Sequence, residues 1–248
     1  LEIVSGNQDL LKSLLSLDCI TSSGAYDEPL TKKRYFYFSS DFTDNFRKFF
    51  LKGFNTQAEA HLDEDTNKRI DNNKIKELFD GNRIDKISRV GDIEEWHLVN
   101  TDDFAHVFHI HQLDFVVTKF TFPGTLDDVP DTYNNYQVDK AHCQTVPLPY
   151  RQNQEVTEND PTIGQECPLL TQGYRDVINL PKHSVTTVRI PFVNPFITGV
   201  FVYHCHILIH EDLGMMNNIK VINPKGFNES QMKQLKAVIE SFRNKSKS

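Results

Sequence analysis

The run Gly199-Val200-Phe201-Val202-Tyr203-His204-Cys205-His206 decides how this chain is read. Its β-branched and aromatic residues favour an extended strand, on which successive side chains point to opposite faces. His204 and His206 therefore share one face and Cys205 takes the other. A second strand-like stretch, Val107 to Phe122, opens with His106-Val107-Phe108-His109-Ile110-His111. There His109 and His111 share a face and His106 points the opposite way. Parity sorts these side chains into two sets, His106 with Cys205, and His109 and His111 with His204 and His206. His210 and Met215 follow the later strand in a turn that can fold back towards Cys205.

Further short strands are expected at Arg34 to Phe38, Ile84 to Val90, Glu95 to Val99, Tyr174 to Leu180 and Ser184 to Phe192, with a Gly91-Asp92 turn between the second and third. Many short strands with few helices point to an all-β sandwich. Residues 55–83 read as a polar insertion in which Ile70, Ile75, Leu78 and Phe79 are spaced as on a short helix. Residues 123–175, with Pro123, Pro130, Pro147, Pro149, Pro161 and Pro168, read as mostly loop near a functional surface. The domain is expected to span 31–225. Residues 1–30 read as a linker or the tail of a preceding domain, with an ordinary surface loop from Thr21 to Leu30 as the equal alternative. Residues 226–248 read as an amphipathic helix, with Ser230 as N-cap and Met232, Leu235, Val238, Ile239 and Phe242 on one stripe.

Composition sets outer limits. The chain has 248 residues, 27 Lys+Arg against 34 Asp+Glu, and a net charge of −7. That length fits one large domain, or one domain with long attachments. Its 18 Phe and 8 Tyr supply core material, which argues against disorder throughout. The acidic balance argues against nucleic-acid binding, and no apolar run approaches the roughly 18 residues of a membrane span. The chain opens on Leu1 with no charged-then-apolar leader and reads as a mature or excised piece. Four cysteines are too few for a disulfide scaffold; Cys143 and Cys167 offer either a loop disulfide or two separate thiols. The sequons at Asn228 and Asn244 are too common to decide the source.

The chemistry lies in the two sets. His106, Cys205, His210 and Met215 offer two imidazoles, a thiolate and a thioether, the donors of a trigonal blue-copper site with a weak axial methionine. A structural zinc site would use more thiolates, and methionine suits zinc poorly. The remaining imidazoles suit copper that binds and reduces oxygen. Cys205 is bonded through the backbone to His204 and His206, which gives an electron a short path between the sets. His61, His97, His142 and His183 stand alone and read as surface or satisfied core residues. Met215 fits the axial spacing better than Met216, and Glu211 is either an outer partner of the site or a solvated carboxylate.

The motifs His106-x-x-His109-x-His111 and His204-Cys205-His206-x-x-x-His210-x-x-x-x-Met215 resemble the two C-terminal copper motifs of multicopper oxidases, the group that includes laccases. Gly91-Asp92-Ile93-Glu94-Glu95-Trp96, Asn100 and Phe115-x-Val117 extend the resemblance over roughly residues 80–222. Val107 departs from it, since many relatives carry proline there. The resemblance implies a cupredoxin-like Greek-key sandwich. It also implies a type 1 copper on Cys205, His106 and His210 with Met215 axial, a type 2 copper on His109, and type 3 coppers on His111, His204 and His206.

The trinuclear cluster of this family takes eight histidines, and this chain offers four. His109/His111 and His204/His206 are its His-x-His pairs; the other four ligands are expected from an N-terminal cupredoxin domain, of the same or another chain. The start at Leu1 favours a fragment of a longer oxidase. The implied function is one-electron oxidation of a phenol, an aromatic amine or a metal ion at the type 1 copper, coupled to reduction of O2 to water. Electron entry is expected at His210 or His106, and three methionines favour organic substrates. Alone, this chain is expected to hold a type 1 copper at most. The alternatives are an electron-transfer or copper-storing module without oxidase activity, and a copper nitrite reductase; the four additional histidines argue against both. Copper loading and structural cysteines suggest a periplasmic or extracellular setting.

Overall fold

The computed structural model describes residues 32–43, 47–61, 70–148, 163–170 and 173–224, and beyond them 226, 228–230, 232–234 and 236–237. Fifteen strands run in chain order through these residues. They are β1 (Lys32–Asp41), β2 (Lys48–Phe54), β3 (Lys86–Arg89), β4 (Asp92–Asn100), β5 (His106–Ile110), β6 (Phe115–Pro123), β7 (Thr132–Tyr133), β8 (Tyr136–Gln137), β9 (Gln144–Pro147), β10 (Ile163–Pro168), β11 (Tyr174–Arg175), β12 (Val177–Leu180), β13 (Val185–Phe192), β14 (Gly199–Cys205) and β15 (Met216–Ile222). Two short helices, α1 (Asn72–Ile75) and α2 (Leu208–Asp212), lie between strands.

The strands form two main sheets. The larger runs β2-β1-β4-β13-β6-β10-β9, with β11 also paired to β6, and the smaller runs β12-β5-β14-β15-β3. The chain alternates between them, passing from β4 to β5 and back to β6, then from β12 to β13 and on to β14. An all-β sandwich results. Between the sheets Phe36, Phe38, Trp96, Leu98, Phe120 and Ile190 from one side meet Phe108, Ile110, Tyr203, Cys205 and Ile219 from the other, all fully buried. Phe36 stacks on Trp96 with ring centroids 4.1 Å apart.

The 55–83 insertion is less polar in place than in sequence. Ala60 and α1's Ile75 bury against Tyr37, Phe54, Val99 and Val185 to make a second small core. By strand parity Tyr37, Val99 and Val185 lie on the larger sheet's outer face, because Phe36, Phe38 and Leu98 face the main core. Leu78, which shares the helical spacing, stays exposed.

The stretch expected as loop, 123–175, instead carries β7 to β11 in its described part, and Cys143 is joined to Cys167 as a disulfide. Proline density misled here because Pro123, Pro147 and Pro168 stand at the ends of strands, where a missing N–H costs little. Two strands outside that stretch also went unread. β2 buries consecutive apolar residues on both faces, so it lacks alternation. β15 carries Asn217 and Asn218, whose buried amides are satisfied by Leu51 O and by the carbonyls of Gly81 and Arg83. The Val107 to Phe122 stretch divides after Ile110, where Gln112 adopts a left-handed φ of 62°. At the C-terminus the Met232 N–H donates to Asn228 O, and helix begins at Glu229, so the cap falls on Asn228 and not on Ser230. Residues 1–30, and Leu235, Val238, Ile239 and Phe242 of the expected stripe, lie outside the described residues. Among the described residues no helix is long and apolar enough to cross a membrane.

A buried ion pair ties β1 to β4 inside the sandwich. Arg34 donates from Nε to Glu94 Oε2 at 2.6 Å and from Nη2 to Oε1 at 3.1 Å, and Trp96 Nε1 donates to Glu94 Oε2 at 2.9 Å. Arg34 Nη2 also reaches Ile87 O on β3 of the opposite sheet. Glu94→Ala would strand this guanidinium without its counter-charge, and a loss of about 3–5 kcal/mol in denaturant unfolding is expected; a loss below about 1 kcal/mol would show the pair to be dispensable. On the outer face, the hydrogen bond from His97, with the charges of His97 and Lys33, holds the Glu95 carboxyl at about 2 despite burial. A carboxyl depressed on folding contributes stability above its unfolded pKa and loses it as pH falls through the folded value. The stability gap between the parent and Glu95→Gln should therefore narrow between about pH 4.5 and pH 2, measured by thermal unfolding across that range.

Candidate metal centre

β5 and β14 pair antiparallel with Tyr203 opposite Ile110, His204 opposite His109, and Cys205 opposite Phe108. This register carries the parity argument across two strands. His106, Phe108 and Cys205 face the core, while His109 and His204 face outward together.

On the inner side three donors converge. His106 Nδ1 lies 3.7 Å and His210 Nδ1 3.6 Å from Cys205 Sγ, and the two nitrogens are 3.2 Å apart. All three residues are buried. A trigonal ion with bonds of about 2.0 Å to nitrogen and 2.3 Å to sulfur needs N–N spacings of about 3.5 Å and N–S spacings of about 3.7 Å. The donor triangle fits such an ion. Met215, fully buried, closes the turn behind α2: its N–H donates to His210 O, and its carbonyl accepts from the Cys205 N–H, both at 2.9 Å. One residue thus fastens the backbones of two donors.

The surroundings favour uncharged forms until a cation arrives. Burial pushes the Cys205 thiol up, opposed by hydrogen bonds from the Val107 and Ile207 amides. Burial, with the neighbouring His106, brings His210 down to about 4, so its ring is neutral at physiological pH. His106 uses its remaining nitrogen, Nε2, on Asp102 Oδ2 at 2.8 Å. A carboxylate on the far nitrogen fixes the ring and its tautomer and makes Nδ1 a better donor.

On the outer side His111 Nε2 and His204 Nε2 stand 3.1 Å apart, and His109 joins them within 4.8 Å. His206 flanks the group, with its ring centroid 5.3 Å from His109 and 5.6 Å from His204. His109 Nδ1 donates to Asp176 O at 2.8 Å, which leaves Nε2 to ligate. Glu211 turns to this set, its Oε2 3.3 Å from His204 Nδ1. Desolvation lowers the pKa of His111 and of His204. His111 and His206 are exposed, so this half of the arrangement opens to solvent. Imidazoles of this density suit copper.

His106, Cys205 and His210 therefore form one group and His109, His111 and His204 another on opposite faces of the β5–β14 pair, with Met215 buried beside the first and His206 flanking the second. His61, His97, His142 and His183 stand apart from both: His97 bonds Glu95, His142 bonds Asp139 and His183 bonds Asp103. Sequence reasoning missed Asp102, Phe49 and Phe104. Phe49 stacks on His210 at 4.0 Å, and Phe104 lies 5.1 Å from the His106 ring. Asp102 is four residues before His106 in a loop, where no periodicity marks it.

The chain is similar to known proteins. Residues 53–225 match the profile of the family described as multicopper oxidase. The multicopper oxidase mco of Staphylococcus haemolyticus is 30% identical over 149 residues, covering 58% of this chain and 23% of that protein. A laccase of Bacillus stratosphericus is 31% identical over 134 residues, covering 54% of this chain and 21% of its own length. The chain thus spans less than a quarter of these relatives. Among solved structures, a multicopper oxidase from Campylobacter jejuni aligns over 79% of this chain and 31% of its own, with 21% identity and a TM-score of 0.48.

Asp102→Asn should weaken Cu(II) binding at the Cys205 site by about 10–100-fold in a chelator competition. Affinity equal to the parent's would mean that Asp102 does not support His106.

Proposed function

The chain belongs to the multicopper oxidase family, and from this premise we propose that it is the C-terminal copper domain of an oxidase whose oxygen site is completed by a second cupredoxin domain. Cys205, His106 and His210 would hold type 1 copper, with Met215 axial. His109 would serve type 2 copper, and His111, His204 and His206 the type 3 pair. Copper when bound supplies one-electron oxidation at the first position and reduction of O2 to water at the second.

The observation that carries this reading is the back-to-back arrangement of the two donor sets on one pair of strands. Cys205 shares its backbone with His204 and His206, so the two sets are joined by a few covalent bonds. An electron carrier would need the first set alone. The exposed faces of His111 and His206 leave room for imidazoles from a partner domain, of the same or another chain. His106 and His210 are the candidates for electron entry, and Asp102 keeps the His106 ring oriented. A phenol, an aromatic amine or a metal ion would be the electron donor. The Cys143–Cys167 disulfide supports a periplasmic or extracellular setting.

The test is copper content with a visible spectrum on the copper-loaded chain. One tightly held copper with an intense thiolate band is expected, with no oxygen consumption until an N-terminal domain is added. Cys205→Ser should abolish the band while the far-ultraviolet circular dichroism of the sandwich persists. A band that survives this change, or a parent without one, would overturn the type 1 assignment.

A further inference from the structure

Both imidazoles beside Cys205 are held by the same hairpin, β1–β2, almost all of which precedes the stretch that matches the family. We propose that this hairpin is a working part of the site: Phe49 orients His210, the Ser40 amide orients His106 through Asp102, and together they close the Cys205 pocket to solvent.

On the His210 side the order outward from the thiol is His210, Phe49, Phe42, water. The Phe49 ring stacks on His210 with centroids 4.0 Å apart and planes 20° from parallel. Phe42 packs edge-on against Phe49 at 5.9 Å and against Phe104 at 6.1 Å, and half of it is exposed. His210 sits on a helix of only five residues, whose own hydrogen bonds fix its backbone but not its ring. A flat neighbour at stacking distance blocks rotation of the imidazole and keeps Nδ1 turned to the sulfur.

On the His106 side Asp102 Oδ2 accepts from Nε2–H at 2.8 Å, and its Oδ1 accepts from the Ser40 N–H at 3.0 Å. The neighbouring Thr101 bonds Phe38 O from both its amide and its hydroxyl, at 3.0 and 2.9 Å. The loop that orients His106 is therefore fastened to β1, as the ring that orients His210 is part of β2. β2 is an edge strand with β1 as its sheet neighbour, and Asn217 Nδ2 ties it to the smaller sheet through Leu51 O at 2.7 Å. Loosening this hairpin would free both imidazoles together.

The experiment uses the full chain with Cys19→Ser, so that Cys205 is the one thiol outside the disulfide. Iodoacetamide alkylation of the metal-free chain under native conditions reads closure directly, and this arm does not depend on copper. Phe49→Ala should raise the alkylation rate about tenfold or more by easing local opening, and Phe42→Ala should raise it less. Val185→Ala, in the second core, should leave it unchanged at a comparable loss of Tm. Phe49→Leu keeps an apolar plug without a flat face, and remains informative if the alanine variant does not fold. It should alkylate slowly but, after Cu(II) loading, shift the thiolate band, while Phe49→Tyr keeps the parent's band. The spectroscopic arm rests on the copper reading above: a parent without the band defeats that reading and leaves the closure result standing. Alkylation of Phe49→Ala within about twofold of the parent, or matched by Val185→Ala, would overturn the proposal.

Discussion

The pairing of β5 with β14 is the constraint on which the site depends. Side chains alternate with a period of two, so the register that sets Cys205 against Phe108 also sets His204 against His109. A slip of one residue in either strand would exchange the faces and put an imidazole in the core and the thiol in water. The pairing is pinned beyond its ladder. Val107 N–H donates to the Cys205 sulfur at 3.4 Å, and His206 N–H donates to Val107 O at 2.6 Å. The register is further enforced by what lies next along β14: Tyr203 and Phe201 share the Cys205 face and are buried among Phe36, Trp96 and Ile219.

The two donor sets differ because one face is dry and the other wet. Inside, burial raises the thiol pKa and lowers that of His210, so both groups favour their uncharged forms. A cation that replaces the proton on sulfur would meet two imidazole nitrogens already turned towards it. Outside, two of the rings are fixed by separate neighbours: His109 by Asp176 O, and His204 by Glu211 and its own strand. That side stays open to solvent at His111 and His206.

Elements far apart in sequence converge on the inner site. The β1–β2 hairpin supplies Phe49 and the Ser40 amide, the loop after β4 supplies Asp102 and Phe104, and α2 supplies His210. Their meeting depends on the closure of the sandwich, to which the Arg34–Glu94 pair contributes at the opposite end of β1 by spanning both sheets. The disulfide joins Cys143 to β10 within the 123–175 stretch, where Pro123, Pro147 and Pro168 sit at strand ends.

The sequence by itself determined the all-β class and the separation of His106 and Cys205 from His109, His111, His204 and His206. Strand alternation is a local property, set by backbone geometry over a few residues, and it survives whatever the strands later pack against. It also marked His210 and Met215, because a turn directly after the strand can fold back towards Cys205. Only the tertiary structure decided that Phe49 lies on His210, that Asp102 and Ser40 stand behind His106, and that Cys143 joins Cys167. It also revealed β2 and β15, whose burial on both faces or satisfied buried asparagines erase the alternating pattern. These contacts join residues as far apart as 161 positions, Phe49 to His210, and are set by sheet register and sandwich closure, which no local period encodes.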